Sequence, residues 1–362
     1  MLSEVKGTVL MNNASVFETI IKHSEKLPTL PGIAMKILEA VQKKDSDLKE
    51  IADIIATDPP LSAEVLKIIN SPFYGLPSKI TSVFHGVNMM GLHTVKNLAL
   101  SFSLIKKFRH SETRGFDYTD FWKISLTAAT ASKFMARNIN SDLAEDAFFL
   151  GLLHNIGILA MIQTMPDQYR LVLSEMAGGD YTFEEAENQI LGFNHMAVGE
   201  YLVKSWGLPE IFSVPIAHHH DPATLIDPCP EVLTLTRVLH LATLFVNLFQ
   251  SSDKTVRLGL IEHYAEAYGW IDRISIDETA QKIQQSTREI FPFFEIDLKD
   301  QEDYTTMLET ARKELINLSS GVMNTLLQQK KQIQVLREQI SRDAMTQLIN
   351  YQRFYELLHQ EI

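Results

Sequence analysis

The sequence holds one cysteine, Cys229, among 362 residues, so no disulfide closes within the chain and a reducing compartment fits it. Positive charge is also short: 33 Lys and Arg stand against 45 Asp and Glu, a net charge of −12. Nucleic-acid binders concentrate positive charge, so that balance argues against a phosphate-backbone footprint. Long apolar runs are missing. The most apolar stretches, such as 239–249, carry polar interruptions and are too short to span a bilayer, and the opening MLSEVKGTVL lacks the basic start and apolar run of a secretory signal. Neither G-x-x-x-x-G-K-S/T nor G-x-G-x-x-G occurs, which removes the two common phosphate-cradling loops. Alternating β-branched runs are lacking too. The expectation is a cytoplasmic, all-α protein that binds no nucleic acid and enters no membrane.

What is present is helical periodicity on an ordinary globular composition, 45% hydrophobic and 22% charged. The length suits two domains, or one large one with an appendage. Ile33, Ile37, Leu38 and Val41 recur at helical spacing, as do Ile51, Ile54 and Ile55, then Leu61, Val65, Ile68 and Ile69. Asp47 with Glu50 reads as a capping box, and Asp58 before Pro59 as an N-cap with proline at the first helical position. Gly75, Pro77 and Gly91 punctuate the next stretch, and Val95, Leu98, Ala99 and Phe102 form a further apolar stripe. From about Thr224 to Asp303 the chain reads as helices completing the bundle, with Leu233, Val238, Leu241, Leu244 and Leu248 on apolar faces and Phe291-Pro292-Phe293-Phe294 as a packing cluster. Cys229 sits between Pro228 and Pro230 in a loop, and Gly178-Gly179-Asp180 reads as a turn.

Residues 305–342 differ in kind, with no proline and a single glycine, Gly321. Leu308, Leu315, Val322, Gln329 and Leu336 repeat every seven residues, and Ser319, Leu326, Ile333 and Ile340 sit four residues ahead of their counterparts. Together they trace an a/d seam, the pattern of a two-stranded coiled coil and thus of a dimer. At ~1.5 Å per residue this is a rod of roughly 55 Å. A single amphipathic helix lying on the globular part is the alternative, and Ser319, Gly321 and Gln329 weaken the seam.

Several motifs together resemble the HDOD family. They are LPTLPGIAMKILEAV (27–41), IADIIATDPPLSAEVLKIINSPFYGLPSKITSV (51–83), GVNMMGLHTVKNLALS (86–101), FWKISLTAA (121–129), GLLHNIG (151–157), HMAVGEYLVKSWGLP (195–209) and IAHHHDP (216–222). The resemblance covers roughly 20–245 and implies an HD-like helical bundle. It suggests an N-terminal segment 1–19, an HDOD domain 20–245, a helical extension 246–303 and a signalling helix 304–342. Residues 343–362 resemble the opening helix of a GGDEF diguanylate cyclase domain at Asp343, Thr346, Leu348, Asn350, Arg353 and Phe354, while Met345, Gln347 and Tyr351 depart from it. The GGDEF signature itself is missing, so that domain is expected to be truncated here.

HD phosphohydrolases hold one or two metal ions with histidines and carboxylates, which activate water and polarise a phosphoryl oxygen. Carried over by motif, the His-Asp pair falls on His154 and Asn155, the upstream histidine on Ile124, the later histidines on His195, His219 and His220, and the distal aspartate on Thr243. An amide cannot bridge two cations as a carboxylate does, an isoleucine cannot ligate, and a threonine is a poor ligand beside histidines. The resemblance therefore implies a vestigial cleft without catalytic residues and with no expected cofactor. The residual His154, His195, His219 and His220 leave a small opening for Zn, Fe or Mn, and with it the alternative of a metal-dependent phosphohydrolase. His218 matches no role. The expected function is a non-catalytic sensor or scaffold in signal transduction. Its partners are a second copy of itself through 305–342, and signalling proteins or a small-molecule ligand. It would relay a signal to a GGDEF output and so to cyclic di-GMP.

Overall fold

The computed structural model describes residues 29–42, 48–108, 116–178, 182–250, 253–296 and 303–340, and among these the regular structure is helical throughout, without strands. Among the described residues five helices come first: α1 (Gly32–Gln42), α2 (Leu48–Ala56), α3 (Pro59–Ile69), α4 (Val83–Met90) and α5 (Leu92–Phe108). The central bundle follows with α6 (Tyr118–Ile139), α7 (Ala144–Leu153), α8 (Ile156–Thr164), α9 (Pro166–Gly178), α10 (Phe183–Leu191), α11 (His195–Ser205), α12 (Glu210–His218) and α13 (Pro230–Gln250). Then come α14 (Lys254–Ala267), α15 (Ile276–Ile290) and α16 (Tyr304–Ile340). The expected all-α class is what the chain adopts.

Local chemistry sets the boundaries. Asp58 caps α3 by accepting from the Leu61 N–H at 3.0 Å, with proline at the first position, as its sequence predicts. Asp47, Gly179 and Asp180, and with them the first capping box and the Gly-Gly-Asp turn, lie outside the described residues. Past α3, the Asn70 side chain acts as a two-way clamp: it accepts from Ile80 N–H at 2.7 Å and donates to Ile80 C=O at 2.8 Å. That holds the loop carrying Phe73 and Tyr74 against the bundle. There the ammonium of Lys133, only 2% exposed, lies 4.0 Å from the Tyr74 ring centroid, 4.5 Å from that of Phe73 and 2.7 Å from Glu145. A buried cation persists only when so partnered.

The core follows the apolar stripes. Val95, Leu98, Ala99 and Phe102 are all buried, and Phe102 stacks on Phe294 at 4.6 Å, which places the Phe-Pro-Phe-Phe cluster as packing. Helices α6 and α7 form the most extensive pair, and Gly151 explains how: a Cβ there would stand 2.6 Å from the Cα of Ala129. The expected domain edge at 245 falls inside α13, which continues unbroken to Gln250, because its apolar stripe runs on through Val246, Leu248 and Phe249. The chain divides into two units between Met307 and Leu308. The stretches Ser141–Thr164 and Pro230–Gln250 are long and apolar enough to cross a membrane by composition, contrary to the expectation from length, but most of each is buried within the bundle as core. In the second unit, Ile316, Leu326, Leu327 and Ile333 of α16 are exposed.

Candidate functional site

Two glycines hold the site in register. Gly151 lets α7 press onto α6, and Gly157 lets the start of α8 press onto α11, where a Cβ would overlap the His195 carbonyl oxygen and stand 2.8 Å from the Gly199 nitrogen. Between these glycines the chain breaks, with His154 just past the end of α7 and Asn155 just before α8. His195 is the first residue of α11, capped by Asn194, whose Oδ1 accepts from Ala197 N–H at 3.2 Å. His219 and His220 leave the end of α12, and Thr243 faces them from α13.

The sequence-assigned residues come together. Ile124, His154, Asn155, His195, His220 and Thr243 line one cleft of about 600 Å³, and His219 lies fully buried behind it. Ring centroids are 4.1 Å apart for His219 and His220, 5.2 Å for His195 and His220, and 5.4 Å for His154 and His219. His218 stays apart from this cluster, its Nδ1 2.6 Å from Thr224 Oγ1. Thr243 spends its hydroxyl by donating to the His240 carbonyl within its own helix, at 2.8 Å. His240, one turn earlier, points its Nδ1 to Tyr268 Oη at 2.7 Å.

Carbonyl and carboxylate oxygens only accept, so the ring partners assign tautomers. The Nδ1–H of His154 donates to Gly151 C=O at 2.7 Å, that of His219 to Ile216 C=O at 2.8 Å, and that of His195 to Glu187 Oε2 at 2.7 Å. In uncharged His154 and His219 the lone pair is thereby left on Nε2. Burial drives the His154 pKa down to about 4 and that of His219 well below its ordinary value; His220 is pushed down too, by burial and then by His195. Uncharged imidazoles are the form a metal or a hydrogen-bond donor requires.

Motif matching does not find Glu187. This carboxylate on α10 is completely buried, accepting from His195 N–H at 2.8 Å and from His195 Nδ1–H, while Tyr169 Oη donates to its Oε1 at 2.8 Å. The segment FEEAENQIL offers three glutamates, and its period alone does not say which turns inward. The arrangement matches the way proteins orient ligating histidines from behind.

The donor set fits one metal ion of the zinc class. One ring nitrogen from each of His195, His219 and His220 falls within 4.8 Å of the others, and His219 Nε2 is buried without a hydrogen-bond partner. It does not fit a bridged pair of ions, since Asn155, Ile124 and Thr243 carry no carboxylate and Glu187 is committed behind His195.

Among curated proteins the chain is 22% identical over 209 residues to an uncharacterized protein of Treponema pallidum (strain Nichols), covering 56% of this chain and 39% of that one. It is 25% identical over 126 residues to the uncharacterized protein YuxH of Bacillus subtilis (strain 168), covering 34% and 30%. The chain thus spans well under half the length of these relatives. Among solved structures, an HDOD domain protein of unknown function from Geobacter sulfurreducens superposes with a TM-score of 0.60 at 21% identity, covering 78% of this chain and 98% of that one. A protein from Shewanella amazonensis SB2B, provisionally assigned as a phosphohydrolase, gives 0.59 at 22% identity, covering 76% and 96%. A protein from Marinobacter aquaeolei VT8, provisionally assigned to signal transduction, gives 0.56 at 19%, covering 84% and 65%. These likenesses establish the shared fold. The HDOD domain profile matches residues 27–222, more than half of the chain, and the chain belongs to the HDOD domain family.

Proposed function

We propose that this chain is a non-catalytic signalling module of the HDOD family, acting in the cytoplasm, whose cleft binds a ligand and whose long C-terminal helix passes the binding event onward. One observation carries the reading: at the matched positions the cleft presents imidazoles, an amide and an aliphatic side chain in place of a bridging carboxylate, and Glu187, buried behind His195, is committed to three hydrogen bonds. A carboxylate-bridged cation pair, which would ionise a water beside a phosphoester, has no bridging ligand at these positions. Helix α16 supports the relay. It runs unbroken from Tyr304 to Ile340, and Leu326 and Ile333 of its heptad seam are exposed, the surface a second copy would cover. The GGDEF-like residues Asp343, Thr346, Leu348 and Asn350 lie outside the described residues. They support, by sequence alone, an output that makes cyclic di-GMP.

The test is metal analysis of protein purified without chelators, together with hydrolysis of bis(p-nitrophenyl) phosphate. The reading predicts no turnover above that of the His154→Ala variant. Turnover that His154→Ala abolishes would overthrow it.

A second reading rests on the convergence of His195, His219 and His220. These residues would hold a single zinc-class ion, which supplies Lewis-acid polarisation of a bound oxygen. Here Glu187 orients His195, and His154 sits beside the ion's position. Stoichiometric metal with phosphoester cleavage would select this reading.

A further inference from the structure

The cleft is one-sided in its chemistry. Its walls carry Phe121, Ile124, Ile158 and Val246 beside the neutral amides of Asn155, Asn247 and Gln250, and among the described residues neither lysine nor arginine lines it. At its mouth stand Asp117 and Asp120, opening α6. One oxygen of Asp117 accepts from the Thr119 and Asp120 N–H groups as the helix cap, at 2.8 and 3.0 Å. On the floor, His154 is 2% exposed and gives its Nδ1–H to Gly151, so the nitrogen left for a cleft occupant, Nε2, carries a lone pair and no proton. No protein group bonds that Nε2 among the described residues. Beside it, His195 and His220 face each other Nε2 to Nε2 at 3.2 Å. Mouth and floor thus offer acceptors and negative charge.

Resting on the ligand-binding reading above, we infer that the cleft's ligand is an organic cation: a protonated amine on an apolar, ring-sized body. The ammonium sits at Asp117 and Asp120, where the Phe116 and Phe121 rings, 5.9 Å apart, add cation–π attraction. The body fills the apolar walls, and an N–H reaches the His154 lone pair. A phosphorylated ligand meets the opposite situation, for its charge would pass two carboxylates and enter a cleft that no cation lines among the described residues. Burial raises the Asp120 pKa and the Asp117 charge adds to it, with Lys123 opposing both, so a cation between the two carboxylates relieves the repulsion that remains.

The experiment uses the full chain, stripped of metal, and three probes that share a phenyl ring: phenethylamine, 2-phenylethanol and phenyl phosphate. Binding is followed by amide chemical shifts. Phenethylamine is expected to bind about tenfold more tightly than 2-phenylethanol, with phenyl phosphate silent. In the double variant Asp117→Asn, Asp120→Asn the preference should fall to about unity while 2-phenylethanol binding persists. Asparagine still caps α6, so that variant keeps its fold. Phenyl phosphate binding as tightly as the amine, an amine preference that survives the double variant, or silence from all three probes overturns the inference. Phosphate bound without cleavage would sink only the ligand class, whereas cleavage on adding zinc would sink the binding-module reading itself.

Discussion

Glu187 and His195 are joined twice: the same carboxylate oxygen, Oε2, accepts the His195 backbone N–H at 2.8 Å and its ring Nδ1–H at 2.7 Å. One side chain thereby fixes both where α11 begins and which way its first residue turns. Glu187→Leu leaves three buried donors without an acceptor, counting Tyr169 Oη. It should cost about 3 to 5 kcal/mol in urea unfolding. Glu187→Gln keeps an acceptor oxygen and should cost roughly half as much. Equal losses for the two would deny the orienting role.

The glycines at either end of GLLHNIG should behave differently from Gly259 in the middle of α14. A Cβ at Gly157 collides with backbone, whereas one at Gly259 meets nothing within 4 Å. Gly157→Ala is expected to destabilise by about 3 kcal/mol or more. Gly259→Ala should stabilise by about 0.5 to 1 kcal/mol, because it gains helix propensity without a clash. Thermal unfolding of both variants decides the pair.

Lys133 and Glu145 form an asymmetric pair, the lysine 2% and the glutamate 21% exposed. Burial lowers the Lys133 pKa to about 8, with Glu145 opposing that shift. Glu145→Leu strands an ammonium deep among aromatic rings and should cost about 3 to 5 kcal/mol. Lys133→Met leaves a carboxylate that reaches water and should cost less, on the order of 1 kcal/mol. Denaturant titration showing the reverse order would refute the caged-cation description.

Acid should loosen the fold through its histidines. Burial, the largest cause, holds the pKa values of His154 and His240 down to about 4, below the unfolded value near 6.5. The unfolded chain then takes up protons that the folded chain refuses, so stability is complete above about pH 6.5 and drains away as pH falls to about 4. Each such group adds a slope of up to about 1.4 kcal/mol per pH unit. His240→Gln should flatten the curve of unfolding free energy against pH across that window, and an unchanged slope would contradict the assignment.

The rod in α16 is tested by association. The full chain should crosslink as a dimer and the chain ending at residue 303 as a monomer, with Leu326→Lys plus Ile333→Lys weakening the dimer by about tenfold or more. A full chain that stays monomeric would remove the seam from the mechanism.

The helices were largely legible because burial repeats at the helical period, as in Val95, Leu98, Ala99 and Phe102, and the Asp58 cap because its hydrogen bond is local. The seven cleft positions were legible by motif, and the fold gathers all of them. Glu187 was not, since FEEAENQIL holds three glutamates and their spacing does not choose among them.

The sequence by itself determined the all-helical class, the shortage of cation-bridging carboxylates at the matched positions and the heptad pattern after residue 304, for these are matters of residue type and spacing. Only the tertiary structure decided that Glu187 rather than its neighbours Glu184 or Glu185 turns inward to His195, and that the imidazoles present lone pairs toward a cleft with an acidic mouth. The reason is that a side chain's partner across a bundle depends on how helices cross, and Gly151 and Gly157 set those crossings through close contacts between segments that local spacing does not encode.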